Sequence, residues 1–287
     1  MKLYPSSATV QLEFDKVRNL LDEQTRTHFG KERAANLRIH TRKQFIELEL
    51  RQSYQYLQIM SAGQTFQHDQ VFNLSKELKL LSIPGAVLGG DIFKLFRNLA
   101  ENIKSIFRWF DEERTSNYSA LFQVVSQTRF EKSIPEEIDR IIGDDGRVVD
   151  TASTDLSRIR MALYRKRNEQ RRTFDRMLSK LQKSGYIADI EESFLNGRRG
   201  LAIYAEHKRI VKGILHGESD TRRTSFIEPE ETIEVNNEIF SLENDERDEE
   251  YKILRDLTAR LSYQSPLLKQ YMEVLGEYDF IRAKAKL

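Results

Sequence analysis

Apolar residues along this chain recur mostly at three- and four-residue spacings, the period of a helix with one face turned inward. Leu12, Phe14, Val17, Leu20 and Leu21 predict a helix over 12–26, which Gly30 is expected to end or interrupt. A second helix is predicted from Arg42 to Met60, with Phe45, Leu48, Leu50, Tyr54, Leu57 and Ile59 as its contacts. A loop over 61–73 follows, then a short helix over Ser75–Leu81. That helix stops before Pro84, because the residue preceding proline avoids the helical region. Asp91 is the expected cap of a long helix reaching about Arg114, built on Ile92, Leu95, Phe96, Leu99, Ile103, Ile106 and Phe107. Tyr118–Gln127 and a segment opened by Pro135 and closed at Ile142 read as two more.

Asp144-Asp145-Gly146 is a turn signal, and a long helix is predicted after it, from about 154 to 183. Ser153, Thr154 or Asp155 would cap it; Ile159, Leu163, Phe174, Met177 and Leu181 gather on one face. The pattern changes near Ile190. Ser193–Leu195 and Leu201–Ala205 flank a turn at Asn196–Gly200 and predict a hairpin, with Ile210–Leu215 and Ser225–Ile227 as further strands. After Pro229 the helical period returns over 231–263, breaks at Pro266 and resumes over 267–285. The expected fold is mainly α: an extended bundle of long helices with a small antiparallel β insert. Its parts would be a helical region over 1–150, the long helix over 151–190, a β unit over 191–230 and returning helices over 231–287.

Charge changes this picture most. Residues 158–183 hold ten Lys or Arg against two acids, Glu169 and Asp175, a net of +8 in a chain whose total is +1. On a wheel of about 100° per residue, Arg158, Arg165, Arg172, Arg176, Lys180 and Lys183 fall on one line, apart from the apolar seam. A cationic rail of this kind suits a polyanion, because each neutralised phosphate releases a condensed counterion. The alternative is a solvated helix face. Residues 228–250 are the counterpart, with eleven acids and one base, Arg247. They read as solvated surface, as a face that repels nucleic acid, or as a dock for basic surface in a partner. Tyr164, Tyr186 and Trp109 could stack on bases, although core packing is the expected role of each.

The remaining chemistry is mostly negative. With no cysteine, a disulfide framework and thiolate chemistry are excluded, which fits a reducing cytoplasm. No stretch approaches the roughly 18 apolar residues of a membrane span, so no membrane partner is expected. In Gly85-Ala86-Val87-Leu88-Gly89-Gly90-Asp91 an acid stands where a phosphate loop needs lysine, so the glycines read as a loop. The five histidines show no ligand spacing, and His207 and His216 are expected to be partly exposed at strand ends. No catalytic residue, metal site or cofactor is visible.

Several short segments, in order, resemble the recombination-related second branch of the MutS family. They are Leu12-Glu13-Phe14-Asp15, Gly30-Lys31-Glu32, Asp145–Ser153, Leu156–Arg160, Asn196-Gly197-Arg198-Arg199, Val211–His216, Thr224–Pro229, Val235-Asn236-Asn237-Glu238 and Asp279–Ala285. Each is weak alone, but together they cover most of the chain. The resemblance implies the core, or lever, region with a clamp around the long basic helix. It implies double-stranded or branched DNA as partner, and a homodimer when a full-length chain carries the ATP- and magnesium-binding ATPase domain. The branch is also linked to ribosomes, so ribosome or RNA remains the alternative partner, with a structural docking role. Two departures matter: the chain opens directly in the core, and Ser219–Thr224 replaces the family's serine- and glycine-containing segment.

Overall fold

The computed structural model describes residues 7–37, 39–64, 73–195 and 198–287. The expected loop over 61–73 and turn at Asn196–Gly200 therefore lie partly outside the described residues. The fold is mainly α with a small four-stranded antiparallel sheet. It divides into two compact units, residues 1–149 with 253–287 and residues 150–252.

The first unit starts with α1 (Ala8–Gln11), α2 (Phe14–Gln24), α3 (His28–Ala35), α4 (Lys43–Ser61) and α5 (Ser75–Leu81). It continues with α6 (Gly90–Trp109), α7 (Glu112–Asn117), α8 (Ser119–Val125) and α9 (Ser133–Asp139). The second holds α10 (Thr154–Lys183), the strands β1 (Ile187–Leu195), β2 (Arg198–Tyr204), β3 (Gly213–Glu218) and β4 (Thr224–Pro229), and the first two-thirds of α11 (Glu230–Ser262). The final helix, α12 (Ser265–Lys286), returns to the first unit and carries Pro266 in its first turn, where the missing N–H costs nothing.

Helix α12 is the axis of the first unit. Leu268, Tyr271, Leu275, Tyr278, Phe280 and Ile281 are buried on it, against α3, α4 and α6 among others. The Tyr278 hydroxyl donates to the Leu121 carbonyl at 2.8 Å, and the Tyr271 hydroxyl donates to that of Arg129 at 2.8 Å. Burial pushes the Tyr56 phenol up to about 12, against the lowering effect of Arg282.

Three local expectations need correction. Gly30 does not end a helix; it lies inside α3, whose cap is Thr27, with the hydroxyl accepting from Gly30 N at 2.9 Å. A Cβ there would sit 2.6 Å from Asp279 Oδ2, so the glycine serves a close approach. Asp91 is the second residue of α6 rather than its cap, and the helix ends at Trp109 instead of Arg114. Asp111 caps a new helix by accepting from Arg114 N at 2.8 Å, which breaks the long run into two. The helix assigned to Pro135 starts two residues earlier, at Ser133, and stops at Asp139, so Ile142 is free to bridge Val148. At Gly90 a Cβ would collide with the Gly146 carbonyl, and Gly146 itself has φ +80°, so the turn before the second unit needs both glycines.

In the second unit the sheet order is β1-β2-β4-β3, with every neighbour antiparallel. β3 begins three residues later than expected, because Ile210 N donates to the His207 carbonyl in a turn. Phe174 of α10 packs with Ile187, Leu201, Ile203, Val211 and Ile227, and Leu178, Leu181 and Tyr186 close the edge of that cluster. The other half of α10 packs elsewhere: Leu163 joins Val235 and Ile239 of α11, flanked by Ile159 and Leu242. One apolar seam thus meets a helix first and a sheet second.

Candidate nucleic-acid interface

Helix α10 runs over the span the sequence predicts, Thr154–Lys183, and Ser153 caps it by accepting from Leu156 N at 3.0 Å. Nine of its ten bases divide by their angle to the apolar seam; the tenth, Arg171, lies 3.9 Å from Asp175 one turn along the same helix. Arg160, Lys166 and Arg167 flank the seam and meet acids of α11. Arg160 Nε donates to Glu246 at 2.7 Å and Nη2 to Glu250 at 2.6 Å, with Asp150 on its remaining nitrogen. Lys166 pairs with Glu238, and Arg167 Nη2 lies 2.8 Å from Glu243. Its hydrogen bond to Glu238 holds the Lys166 ammonium above its usual range. Partner numbers on α11 fall as those on α10 rise, so the two helices are antiparallel.

The sequence reading left the acids of 228–250 as solvated surface, as a repelling face or as a dock for a partner. Four of them instead neutralise α10 within the same chain. Composition could count these acids but could not show which bases they face.

The other face of α10 is the rail. Arg158, Arg165, Arg172, Arg176, Lys180 and Lys183 are all exposed, opposite the seam. Arg158 shares Asp155 at 2.9 Å, an exposed pair of little energetic weight. Among the described residues the other five have no ion-pair partner. One sequence expectation fails beside the rail. Tyr164 was expected in a core and is 71% exposed, with Met161 one turn away also exposed. Tyr186 does pack against the sheet cluster, with its ring centroid 4.6 Å from that of His207 and the two planes tilted by 48°. Trp109 packs among Phe110, Tyr118 and Arg114 in the first unit.

Beneath the sheet lies a polar centre that the sequence reading missed. Glu228, at the end of β4, is wholly buried. Its Oε1 accepts from Arg198 Nη1 at 2.9 Å and from Asn236 Nδ2 at 2.7 Å. Its Oε2 lies 2.6 Å from His216 Nε2, which must carry the hydrogen because an ionised carboxylate only accepts. Burial alone would raise the Glu228 pKa, but the bonds from Asn236, His216 and Arg198 outweigh it and hold the group below the usual carboxylate range. Gln170 of α10 donates to Asn236 Oδ1 at 2.5 Å, and Arg198 Nη2 donates to Asn237 Oδ1 at 2.7 Å. His216 is half-buried, in keeping with the expected partial exposure, but it lies within β3 rather than at a strand end and is clamped on a buried charge. Gly213 approaches the same strand so closely that a Cβ would strike the Glu228 carbonyl.

Arg198, His216, Glu228, Asn236 and Asn237 come from four separate segments that carried the family resemblance. The fold gathers them within one hydrogen-bonded group, which explains why short, scattered segments stand together in this chain. Comparison with known proteins bears on the same point. No family model matches the chain. Among curated proteins, Endonuclease MutS2 of Carboxydothermus hydrogenoformans is 30% identical over 283 residues, 96% of this chain and 35% of that protein. These relatives support a place in the MutS family. Endonuclease MutS2 of Latilactobacillus sakei is 29% identical over 280 residues, with the same coverage of each chain. That of Aquifex aeolicus is 26% identical over 278 residues, 96% of this chain and 36% of its own length. The chain thus spans little more than a third of the MutS2 proteins it matches.

Proposed function

We propose that this chain is the DNA-gripping core and clamp portion of a MutS-like protein of DNA repair or recombination control, and that it is non-catalytic by itself. The observation that supports the reading is the division of charge on α10. Bases flanking the seam are neutralised by α11, while the six rail cations point to solvent along one line. A helix of 30 residues spans about 45 Å at 1.5 Å per residue, so its rail can follow several successive phosphates. Contacts of this sort position a duplex without reading its sequence. The MutS2 relatives make DNA the favoured polyanion. The ATPase and nuclease functions, and dimerisation, belong in this reading to parts of the longer relatives that the chain does not share.

The test is a binding titration of the 287-residue chain with duplex DNA, branched DNA and structured RNA at several salt concentrations. Affinity for duplex is expected to fall with salt at a log–log slope near −0.9 per phosphate contacted. Arg165→Glu with Arg172→Glu is expected to lower that slope and to weaken binding to all duplex sequences alike. If the double variant binds as wild type does, the rail has no role. If structured RNA binds selectively, the docking role replaces this one. Assays for ATP and DNA hydrolysis by the chain are expected to show no turnover; turnover abolished by a substitution within it would overturn the non-catalytic assignment.

A further inference from the structure

Most apolar side chains of α10 point into the seam, and two large ones depart from that rule. Met161 is 55% exposed and Tyr164 is 71% exposed. Among the described residues Tyr164 has no hydrogen-bond or ring partner. The exposure is not explained by folding, since burying a tyrosine ring is ordinarily favourable. Its surroundings give the explanation. On the helix wheel Met161 falls between Tyr164 and the line of Arg172, Arg165 and Arg158, so the apolar pair forms a shoulder along the rail. Phe240 and Tyr251 are exposed too, but they stand on the acidic helix α11, where a phosphate backbone would be repelled. Only Tyr164 joins an uncommitted aromatic face to uncommitted cations on α10.

A ring placed beside a phosphate-tracking rail meets what lies next to phosphates, the nucleobases. In a perfect duplex their faces are stacked away, whereas an unpaired base offers one. We propose that Tyr164, supported by Met161, stacks on an unpaired base and so makes the module prefer DNA with unstacked bases over perfect duplex. This specificity rests on the rail reading above, because the rail must first hold the strand. The tyrosine adds discrimination, and the cations supply affinity that is indifferent to base pairing.

The experiment compares wild type, Tyr164→Ala, Tyr164→Phe and the Arg165→Glu/Arg172→Glu variant on a perfect duplex and on the same duplex with an unpaired bulge. Wild type is expected to bind the bulged duplex about tenfold more tightly. Tyr164→Ala is expected to erase that difference with its affinity for perfect duplex unchanged, and Tyr164→Phe to retain it, since the ring and not the hydroxyl acts. The exposed position lets the substitution leave the fold intact, which circular dichroism checks. A preference that survives in Tyr164→Ala, or is missing in wild type, overturns the stacking role while leaving the rail in place. A double variant that binds both duplexes as wild type does overturns the rail itself, and the stacking role with it.

Discussion

Each unit contains a wholly buried carboxylate beside an arginine, and the two are satisfied in opposite ways. Asp279, in the first unit, takes most of its bonds from the main chain. Its Oδ2 accepts from Arg26 N at 2.8 Å and Thr27 N at 2.7 Å, with the Thr27 hydroxyl at 2.9 Å. Arg282, one turn further along α12, lies at 2.7 Å and also donates to the Gln24 carbonyl at 2.6 Å. Glu228, in the second unit, has only side chains: Arg198, His216 and Asn236. Backbone donors are present whatever residue stands there, so the Asp279 site asks for few identities. The Glu228 site asks for four at once, from three strands and a helix. Buried charge is tolerated in both because every lone pair is engaged, but only the second can be dismantled one side chain at a time.

Removing the carboxylate should break the first site most severely. Asp279→Ala strands a buried guanidinium and two main-chain N–H groups, and a loss of about 3–5 kcal/mol is expected. Chemical denaturation measures it; a loss under about 1 kcal/mol would contradict the claim that this carboxylate anchors α12 to the α2–α3 turn. Glu228→Gln keeps shape and removes charge, so about 1.5–3 kcal/mol is expected from weakened charge-assisted bonds. His216→Ala takes away one donor of three, and about 1–2 kcal/mol should follow.

Acid sharpens the contrast further. Glu228 holds its proton less tightly when folded than when unfolded, so its stabilisation is complete above the ordinary carboxylate range. That contribution drains away as pH falls through the lower folded value. Wild type should therefore lose more stability than Glu228→Gln between neutral and strongly acidic pH; parallel profiles would show that the charge does not matter. Smallest of all, Arg165→Ala and Arg172→Ala should change stability by no more than about 0.5 kcal/mol, since neither guanidinium holds the fold. Any larger loss would mean that the rail is structural.

Where the fold rests on one long periodic helix, the sequence was readable almost to the residue, as with α10 and α11. The mainly α class with a minor antiparallel sheet followed from those helices and the strand-rich interruption. Gly30 was misread because the partner that demands it, Asp279, is about 250 positions away. Asp91 looked like a cap, yet Gly89 holds that position and Asp111 supplies a stronger signal downstream. On α10 the rail was visible from angles alone. The pairing of Arg160, Lys166 and Arg167 was not, because it depends on which face of α11 turns inward. Tyr164 was assigned to a core on the habit of aromatic residues, which says nothing about a particular helix face. Glu228 and His216 were quoted as parts of separate segments; only the sheet brings them within hydrogen-bond reach.

The antiparallel pairing of α10 and α11 also bears on register. Arg160 spans Glu246 and Glu250, one turn apart, and Glu243 continues the same acidic row. A slide of one helix along the other by a turn would exchange one glutamate for the next and leave the ionic attraction nearly unchanged. Charge therefore decides that these helices run side by side, but it cannot fix how far along. The bond from Gln170 to Asn236 can, for Asn236 also donates to Glu228 and cannot follow a slide without abandoning it. A single amide layer sets the alignment of the basic helix, and with it the spacing at which the rail is offered.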